Sequence, residues 1–350
     1  MFTATPTLPK IDRLASAPDG SPVRAIWIGQ AGTRARIMTW GASLMDLRIE
    51  GLPHALVLGS EAFAPYLGPM RYFGAIVGPV ANRIAGGRAA LDGRMLTLER
   101  NEAGRSMLHG GTAGTASRNW RLEADSPAAC TLSLSLPEGT GGLPGPLDLR
   151  ASYLVDAAGA LEIRLEGRSG VPTFCNLAHH SYWCLDGSGS LDRHRLQVAA
   201  ARYLPVDDAL IPQGPPAPVA GTRFDFRTPR PVLDAVLARE APPLDHNFCL
   251  GDSAAPLRPA CRLSAPGVVL EVTTTAPGLQ VYDGGGLATA PVPGHEGRPY
   301  DAHAGIALEP QGWPDAPNRP DFPSVLLRPG ETYRQVSRFH ARPTAPGDRP

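Results

Sequence analysis

Apolar and polar residues alternate along several short stretches of the chain. In "CTLSLSL" (130–136), Leu132, Leu134 and Leu136 fall on one face, and "LEIRLEGRS" (161–169) repeats the pattern. A period of two residues is typical of a half-buried β-strand. Similar apolar and β-branched runs predict further strands at 35–49, 268–283 and 305–311.

Helical patterns are rare by comparison, and the best of them is the short "RPVLDAVLAR" (230–239). The 39 Gly and 38 Pro cluster between the strand-like runs, which favours many short strands joined by turns. The chain is therefore predicted to be all-β, with the architecture of a large antiparallel sandwich or barrel. We expect residues 341–350 to form a disordered tail.

Charge and cysteine usage narrow the class of protein. Basic and acidic residues balance at 33 each, without a block of like charge, so neither nucleic acid nor a membrane surface is an expected partner. No stretch reaches the roughly 18 apolar residues of a membrane span, and the start lacks the apolar core of a secretory signal. Five cysteines without a CxxC pair disfavour a disulfide framework or a zinc knuckle. We expect a reducing, cytoplasmic setting.

The stretch "NLAHHSYWCL" (176–185) places His179 and His180 side by side. Three interpretations are open: a metal site, a pair of buried histidines bonded to the backbone, or a catalytic acid with a structural neighbour. The stretch has the character of a strand, in which successive side chains point to opposite faces. This geometry disfavours a metal site built from the pair alone and leaves the other two interpretations open.

Two further motifs combine polar residues with glycines. Asn82 and Arg83 lie between small residues in "GPVANRIAGGR", and His109 precedes two glycines in "LHGG". An arginine in such a setting can bind an anion or a hydroxylated ligand, and paired glycines allow a ligand to approach the backbone. An ordinary surface arginine and a loop histidine are the alternatives. The glycine pair at 86–87 precedes no predicted helix, which excludes a dinucleotide or phosphate loop.

Three polar residues stand within or at the ends of apolar strands. Asp245 in "LDHNF" needs a partner if it is buried, because an unpaired buried charge is costly. Gln280 in "GLQVYDGGG" can offer an amide to a ligand. Glu309 closes the apolar run "GIAL", which makes it a candidate base with a raised pKa. Each residue also has an ordinary interpretation, as a turn cap or a side chain that faces solvent.

Taken together, these residues suit a neutral, polyhydroxylated ligand. The chain shows no metal-ligand spacing, no serine nucleophile elbow and no phosphate loop. A ligand rich in hydroxyl groups needs polar groups at several points and an aromatic floor. The aromatic residues available for such a floor are Tyr182, Trp183, Tyr282 and Trp313.

Seven motifs, spread over roughly residues 20 to 340, occur in an order that resembles the aldose 1-epimerases, the galactose mutarotase family. They are "VANRIAGGR", "LHGG", "NLAHHSYW", "GTRFDFRTPRPV", "LDHNF", "GLQVYDG" and "LEPQGWPDAPNRPDFPSVLLRPGETY". The resemblance implies a single β-sandwich domain over 21–340, a galactose mutarotase-like supersandwich, after an N-terminal extension over 1–20. It also implies an open cleft for a free aldose.

The resemblance further implies that the chain interconverts the α and β anomers of an aldose without a cofactor. His180 matches the catalytic acid of the family and Glu309 the catalytic base. The implied substrate-binding residues are Asn82, Arg83, His109, Asp245 and Gln280. The expected partner is a small sugar, with no metal, and the expected state is a monomer or a homodimer.

The sequence departs from the family pattern at a few positions. His179 stands where the family has asparagine, and Pro79 stands where it often has arginine. We expect His179 to be structural. Two alternative functions stay open: a hexose-6-phosphate 1-epimerase, which needs a cluster of Arg or Lys for the phosphate, and a non-catalytic sugar-binding protein of the same fold.

Overall fold

A computed structural model describes residues 8–236 and 243–344, and strands dominate it. The strands are β1 (Lys10–Ser16), β2 (Pro22–Gln30), β3 (Thr33–Met38), β4 (Ser43–Ile49), β5 (Ile76–Val77), β6 (Arg83–Ile84), β7 (Arg88–Leu91), β8 (Arg94–Thr97), β9 (Met107–Leu108), β10 (Arg121–Ser126), β11 (Ala129–Leu136), β12 (Leu147–Val155), β13 (Leu161–Ser169), β14 (Thr173–Phe174), β15 (Ala178–His179), β16 (Tyr182–Trp183), β17 (Arg195–Val198), β18 (Arg202–Tyr203), β19 (Ala217–Pro218), β20 (Arg230–Pro231), β21 (Asp245–Cys249), β22 (Arg258–Ala265), β23 (Val268–Thr274), β24 (Gly278–Tyr282), β25 (Ile306–Gln311), β26 (Leu326–Leu327) and β27 (Tyr333–Pro343).

The helices in the described residues are short. The predicted helix at 230–239 contains α1 (Val232–Val236), and residues 237–239 lie outside the described part of the chain. The 3₁₀ turns are Ala64–Leu67, Ala85–Gly87, Thr115–Ser117, Thr140–Gly142 and Ala316–Asn318. Within 8–236 and 243–344, every helix is too short or too polar to cross a bilayer.

Three sheets organise the domain. The large sheet has nine strands in the order β10-β11-β12-β13-β27-β23-β22-β17-β20, and the second sheet has six in the order β16-β25-β24-β21-β18-β19. The N-terminal sheet runs β1-β2-β3-β4. Each pairing of these named strands is antiparallel. The predicted all-β antiparallel architecture is therefore confirmed.

The main core lies where the apolar faces of these sheets meet. Its largest cluster of buried side chains joins Ile163 of the large sheet, Leu308 of the second sheet and Ile37 of the N-terminal sheet. The alternation that predicted β13 is visible in its burial, because Leu161, Ile163 and Leu165 are all buried. Packing of this kind buries apolar area on one face of each strand and leaves the other face to polar groups.

The predicted boundaries of the domain do not match the limits of its sheets. β1 lies within the predicted N-terminal extension, and its backbone pairs with β2 from Lys10 to Ser16. At the other end β27 continues to Pro343, so that the predicted tail begins inside a strand. Residues 345–350 of that tail lie outside the described residues.

The side chains of β27 also bind two segments that lie outside the large sheet. The backbone N–H of Leu177 donates to Tyr333 Oη (3.1 Å), and Tyr333 Oη donates to Gln335 Oε1 (3.0 Å). Gln335 Nε2 then donates to the carbonyl oxygen of Pro310 (2.9 Å). This chain of hydrogen bonds fixes the histidine-rich segment and β25 against the same strand.

We expect Tyr333→Phe to lower the free energy of unfolding by about 1–3 kcal/mol, because it leaves Leu177 N–H and Gln335 Oε1 without the hydroxyl that joins them. Urea denaturation measures the change. Tyr203→Phe is a matched control, because it also removes one tyrosine hydroxyl but keeps the ring that packs on Phe224 (4.3 Å between centroids). Equal effects of the two substitutions would show that the Tyr333 hydroxyl does not link these segments.

Candidate active site

The two neighbouring histidines face opposite sides of their segment. The ring of His179 packs edge-on against Phe339 of the large sheet (5.5 Å between centroids), and its Nε2 bonds to Ser181 Oγ (3.0 Å). His180 turns the other way, toward the second sheet. The separation predicted from strand alternation is confirmed, and the pair does not converge on one metal position.

His180 lies directly opposite a buried carboxyl group. Its backbone is fixed by hydrogen bonds from His180 N–H to Ala75 O (2.9 Å) and from Gly74 N–H to His180 O (3.0 Å). Its Nε2 lies 3.7 Å from Glu309 Oε1. Because His180 is 5% and Glu309 2% exposed, water has little access to either group.

The pairing of strands in the second sheet places three polar side chains in a row. Glu309 of β25 stands opposite Gln280 of β24, and directly opposed residues share a face of the sheet. Gln280 Nε2 donates to Asp245 Oδ1 (2.5 Å) on β21. Arg83 Nη1 donates to the other oxygen of Asp245 (3.3 Å). The row therefore runs from the carboxyl of Glu309 to a guanidinium.

Two tight turns, one at Asn82 and one at His109, bring this row back to His180. Asn82 and His109 both have positive φ (61° and 51°), and the N–H of Asn82 donates to His109 Nδ1 (3.1 Å). The side-chain oxygen of Asn82 accepts from the N–H of Arg83 (2.8 Å). The ring of His109 then lies 5.3 Å from that of His180, edge to face.

We call this closed set of neighbours the polar ring, and it brings together the seven residues to which the family resemblance assigns a catalytic or substrate-binding role. Its members are Asn82, Arg83, His109, His180, Asp245, Gln280 and Glu309. Asn82 builds the turn, since its amide oxygen is bonded to the adjacent backbone. Glu309 Oε2 and Gln280 Oε1 are buried, and neither has a hydrogen-bond partner among the described residues. Buried polar atoms are rarely left unpaired, so these two oxygens are suited to accept hydrogen bonds from a ligand.

Burial controls the charge of the central pair. It lowers the pKa of the His180 imidazole to about 4. Burial, followed by the charge of Asp245, raises the pKa of Glu309 well above its usual value, against the opposing charge of Arg83. Both shifts disfavour the charged forms, so the neutral imidazole and the neutral carboxyl are stabilised relative to the ion pair.

The other ring residues are poised as hydrogen-bonding groups. Burial, with the nearby His180 and Arg83, lowers the pKa of His109 well below its usual value. Because Nδ1 of His109 accepts from Asn82, the neutral ring carries its proton on Nε2. Burial raises the pKa of Asp245, opposed by the charge of Arg83 and the hydrogen bond from Gln280.

The aromatic floor differs from the prediction. Trp183 is fully buried and stacks on Phe339, and Trp313 is buried against Phe322 (5.0 Å between centroids). The prediction is wrong for these two residues, because both belong to the hydrophobic core. Tyr182 lies beside His180 (5.1 Å between centroids) as expected.

Tyr282, the other tyrosine predicted for the floor, lies near Tyr182. Its ring is 6.1 Å from that of Tyr182. Sequence reasoning missed Tyr72, whose ring lies 4.9 Å from His109 and 6.0 Å from His180. No local pattern marks Tyr72 in the sequence, since only the fold brings it to the histidines.

Glu102 is the second residue that the sequence did not single out. Its carboxylate accepts from Arg83 Nε (2.7 Å) and from Arg83 Nη2 (2.6 Å). Burial alone would lower the pKa of Arg83, but the hydrogen bonds and charges of Glu102 and Asp245 raise it. Two carboxylates therefore fix the position of the guanidinium.

The described residues contain one group of potential metal ligands. Cys184, Asp186 and His194 have ligand atoms within 4.8 Å of one another. However, His194 Nε2 accepts the N–H of Leu185 (2.9 Å), which occupies the lone pair that a metal would need. Burial also raises the pKa of the Cys184 thiol. The trio is better described as a hydrogen-bonded corner of the fold.

Comparisons with known proteins agree with this architecture. The family model for aldose 1-epimerase matches residues 24–340. Galactose mutarotase from Rattus norvegicus is 40% identical over 311 residues, covering 87% of this chain and 89% of the relative. Aldose 1-epimerase from Escherichia coli is 35% identical over 338 residues, covering 93% of this chain and 97% of the relative.

The same fold is present in solved structures. A crystal structure of an aldose epimerase homologue from C. elegans superposes with a TM-score of 0.85 at 30% identity, covering 92% of this chain and 100% of that one. A galactose 1-epimerase from Lactobacillus acidophilus gives a TM-score of 0.81 at 27% identity, covering 96% and 99%. The fold is that of the sugar epimerases built on antiparallel sheets. The chain belongs to the aldose 1-epimerase family.

We expect both His109 and His180 to be neutral at pH 7, because burial disfavours the imidazolium form of each. Long-range ¹H–¹⁵N spectra of histidine-labelled protein report the protonation state and the tautomer. His109 should show a proton on Nε2, and His180 should begin to titrate only near pH 4. Assignments follow from His109→Gln and His180→Asn. Titration of either ring near pH 6.5 would contradict the assigned burial effects.

Proposed function

We propose that this chain interconverts the α and β anomers of free aldoses by opening and reclosing the sugar ring. The observation that carries the proposal is the pairing of His180 Nε2 with Glu309 Oε1 at 3.7 Å inside a ring of hydrogen-bonding groups. Family membership supports it, since the curated relatives are named galactose mutarotase and aldose 1-epimerase.

The reaction needs two proton transfers and no redox change. Glu309, as carboxylate, takes the proton of the anomeric hydroxyl while His180, as imidazolium, protonates the ring oxygen. The bond between C1 and the ring oxygen breaks, and the free aldehyde forms. Rotation about the C1–C2 bond exposes the other face of the carbonyl, and the reverse transfers close the ring as the other anomer.

Burial helps the opening step in a specific way. The closed sugar reacts with the ion-pair form, which is the less populated of the two arrangements that hold one proton. Ring opening leaves a neutral carboxyl and a neutral imidazole, with the same total number of protons. Because burial disfavours the charged forms of both His180 and Glu309, proton transfer from the ion-pair form to and from the sugar is favourable, although that form is sparsely populated before the reaction. The pair accelerates exchange in both directions and leaves the equilibrium between anomers unchanged.

The rest of the polar ring holds the substrate. Arg83, the Nε2–H of His109 and the paired Asp245 and Gln280 present donors and acceptors to sugar hydroxyls. Such restraint keeps C1 near the acid and the base during the reaction. Tyr72 and Tyr182 flank His180 and provide apolar surface for the C–H faces of a sugar.

The charge around Arg83 favours a free sugar over a hexose 6-phosphate. A phosphate group calls for arginine or lysine side chains that are free to pair with it. In the polar ring the guanidinium of Arg83 already pairs with Glu102 and Asp245. A non-catalytic sugar-binding protein would bind aldoses without accelerating their mutarotation, so turnover assays distinguish it directly.

We expect His180→Asn and Glu309→Gln each to lower kcat/KM for mutarotation by about 10²–10⁴, the usual contribution of one general acid or base. Polarimetry on freshly dissolved α-D-glucose and α-D-galactose measures the rate above the spontaneous reaction. Near-ultraviolet circular dichroism checks that the variants stay folded.

His179→Asn is the matched control, because His179 packs in the core on the opposite side from Glu309. It should keep most of the activity. A His179→Asn variant as inactive as His180→Asn would show that the wrong histidine has been assigned. Near-wild-type rates for both His180→Asn and Glu309→Gln would overturn the mechanism.

The dependence of kcat/KM on pH should be bell-shaped. Its two limbs should lie away from the ordinary pKa values of histidine and glutamate, because burial shifts both groups. On the acidic side the rate falls as pH drops through the His180 pKa of about 4, because the pair then holds two protons and lacks a base. On the alkaline side it falls as pH rises through the raised pKa of Glu309, because the pair then lacks a proton to donate. Rates measured by polarimetry against buffer blanks test this profile. An acidic limb near pH 6.5, the value of an unperturbed histidine, would contradict it.

A further inference from the structure

We propose that Glu102 is a specificity-determining residue that makes the site reject anionic sugars by neutralising Arg83. The inference rests on the proposed function, because it concerns the sugars that the polar ring accepts. It is carried by the bidentate contact of Glu102 with Arg83 and by the second carboxylate, Asp245, on the same guanidinium.

The guanidinium of Arg83 is largely committed to these two partners. Arginine has five N–H donors. Nε and Nη2 each donate to Glu102, and Nη1 donates to Asp245. One N–H on each terminal nitrogen then remains for a ligand. Arg83 can still donate to neutral hydroxyl groups through these two N–H groups, but the two carboxylates already neutralise the positive charge that would attract a phosphate or carboxylate.

Glu102 is held in place by its loop. Its backbone N–H donates to Ser106 O (3.1 Å), and its carbonyl accepts from Arg105 N–H (2.9 Å). The adjacent Asn101 exchanges two hydrogen bonds with the backbone of Leu108, at 2.8 and 3.0 Å, directly before His109. The carboxylate is therefore fixed relative to the polar ring, although the Glu102 side chain is 30% exposed.

The charged groups around the polar ring repel an anion. Arg83 contributes one positive charge, while Glu102 and Asp245 each present a carboxylate to it. His109 is kept neutral by burial. Another arginine on this side, Arg71, lies over the ring of Tyr72 and donates to Ser117 Oγ and Thr112 O. The carboxylate of Glu99, which accepts the N–H of the same Thr112 (2.9 Å), offsets the charge of Arg71. A phosphorylated sugar, with a charge of about −1.5 to −2 at pH 7, meets net repulsion from the carboxylates.

Glu102→Gln tests the proposal by removing one negative charge while keeping nearly the same shape. The quantity of interest is the ratio of kcat/KM for D-glucose 6-phosphate to kcat/KM for D-glucose. We expect this ratio to rise about tenfold in Glu102→Gln, a moderate value for a partly exposed charge close to the ligand. In the wild-type protein the ratio should also rise with ionic strength, because salt screens the repulsion.

Two controls separate charge from structure. Glu123→Gln removes a carboxylate that pairs with Arg121 and Arg150 at the edge of the large sheet, and it should leave the ratio unchanged. 6-O-Methyl-D-glucose adds bulk at C6 without charge. If Glu102→Gln improves this neutral sugar as much as glucose 6-phosphate, or leaves the ratio unchanged, the proposal is wrong.

Calorimetric binding of glucose and glucose 6-phosphate keeps this test independent of turnover. A wild-type protein that binds both sugars but converts neither would refute the proposed function, while the ratio of the two dissociation constants in Glu102→Gln would still decide the role of Glu102. Equal affinity of the wild-type protein for the two sugars would overturn the inference even if mutarotation is confirmed.

Discussion

The approach of His180 Nε2 to within 3.7 Å of Glu309 Oε1, in a place with little access for water, is the contact on which the site depends. In water the carboxylate would be ionised near neutrality and the imidazole only partly charged. Burial pushes both groups toward their neutral forms, so a proton is easily moved between them by way of a bound substrate. The chemistry of the site follows from where the fold places these two groups, since each is an ordinary residue type.

Both the second sheet and the large sheet hold His180 and Glu309 in place. The strand that carries Glu309 also pairs with Gln280, while Tyr333 and Gln335 of the large sheet bond to the segments on which His180 and Glu309 lie. A shift of either sheet relative to the other would therefore change the distance between acid and base. Substrate-positioning geometry of this kind is sensitive to displacements of about 1 Å. The long antiparallel ladders thus serve the site by giving it a rigid frame.

Much of this arrangement could be predicted from the sequence, and the limits of prediction have physical causes. Alternation within β13 predicted its buried face, and the same two-residue period separated His179 from His180. The sequence also pointed to every member of the polar ring, with help from the order of the family motifs. It did not indicate Tyr72 or Glu102, because their relation to His180 and Arg83 arises from contacts between distant segments. It misplaced Trp183 and Trp313, since an aromatic residue next to a polar motif can equally well fill the core.

The central claim is that the bond between C1 and the ring oxygen breaks while Glu309 takes the proton of the anomeric hydroxyl and His180 protonates the ring oxygen. Its most direct test follows α-D-glucose labelled with ¹⁸O at the anomeric hydroxyl, by ¹³C NMR, during catalysed exchange of the anomers. Opening at the ring oxygen predicts that the label stays on C1 through many interconversions, apart from slow hydration of the free aldehyde. Loss of ¹⁸O at the rate of anomer exchange would show that the bond from C1 to its hydroxyl breaks instead, and would contradict the account.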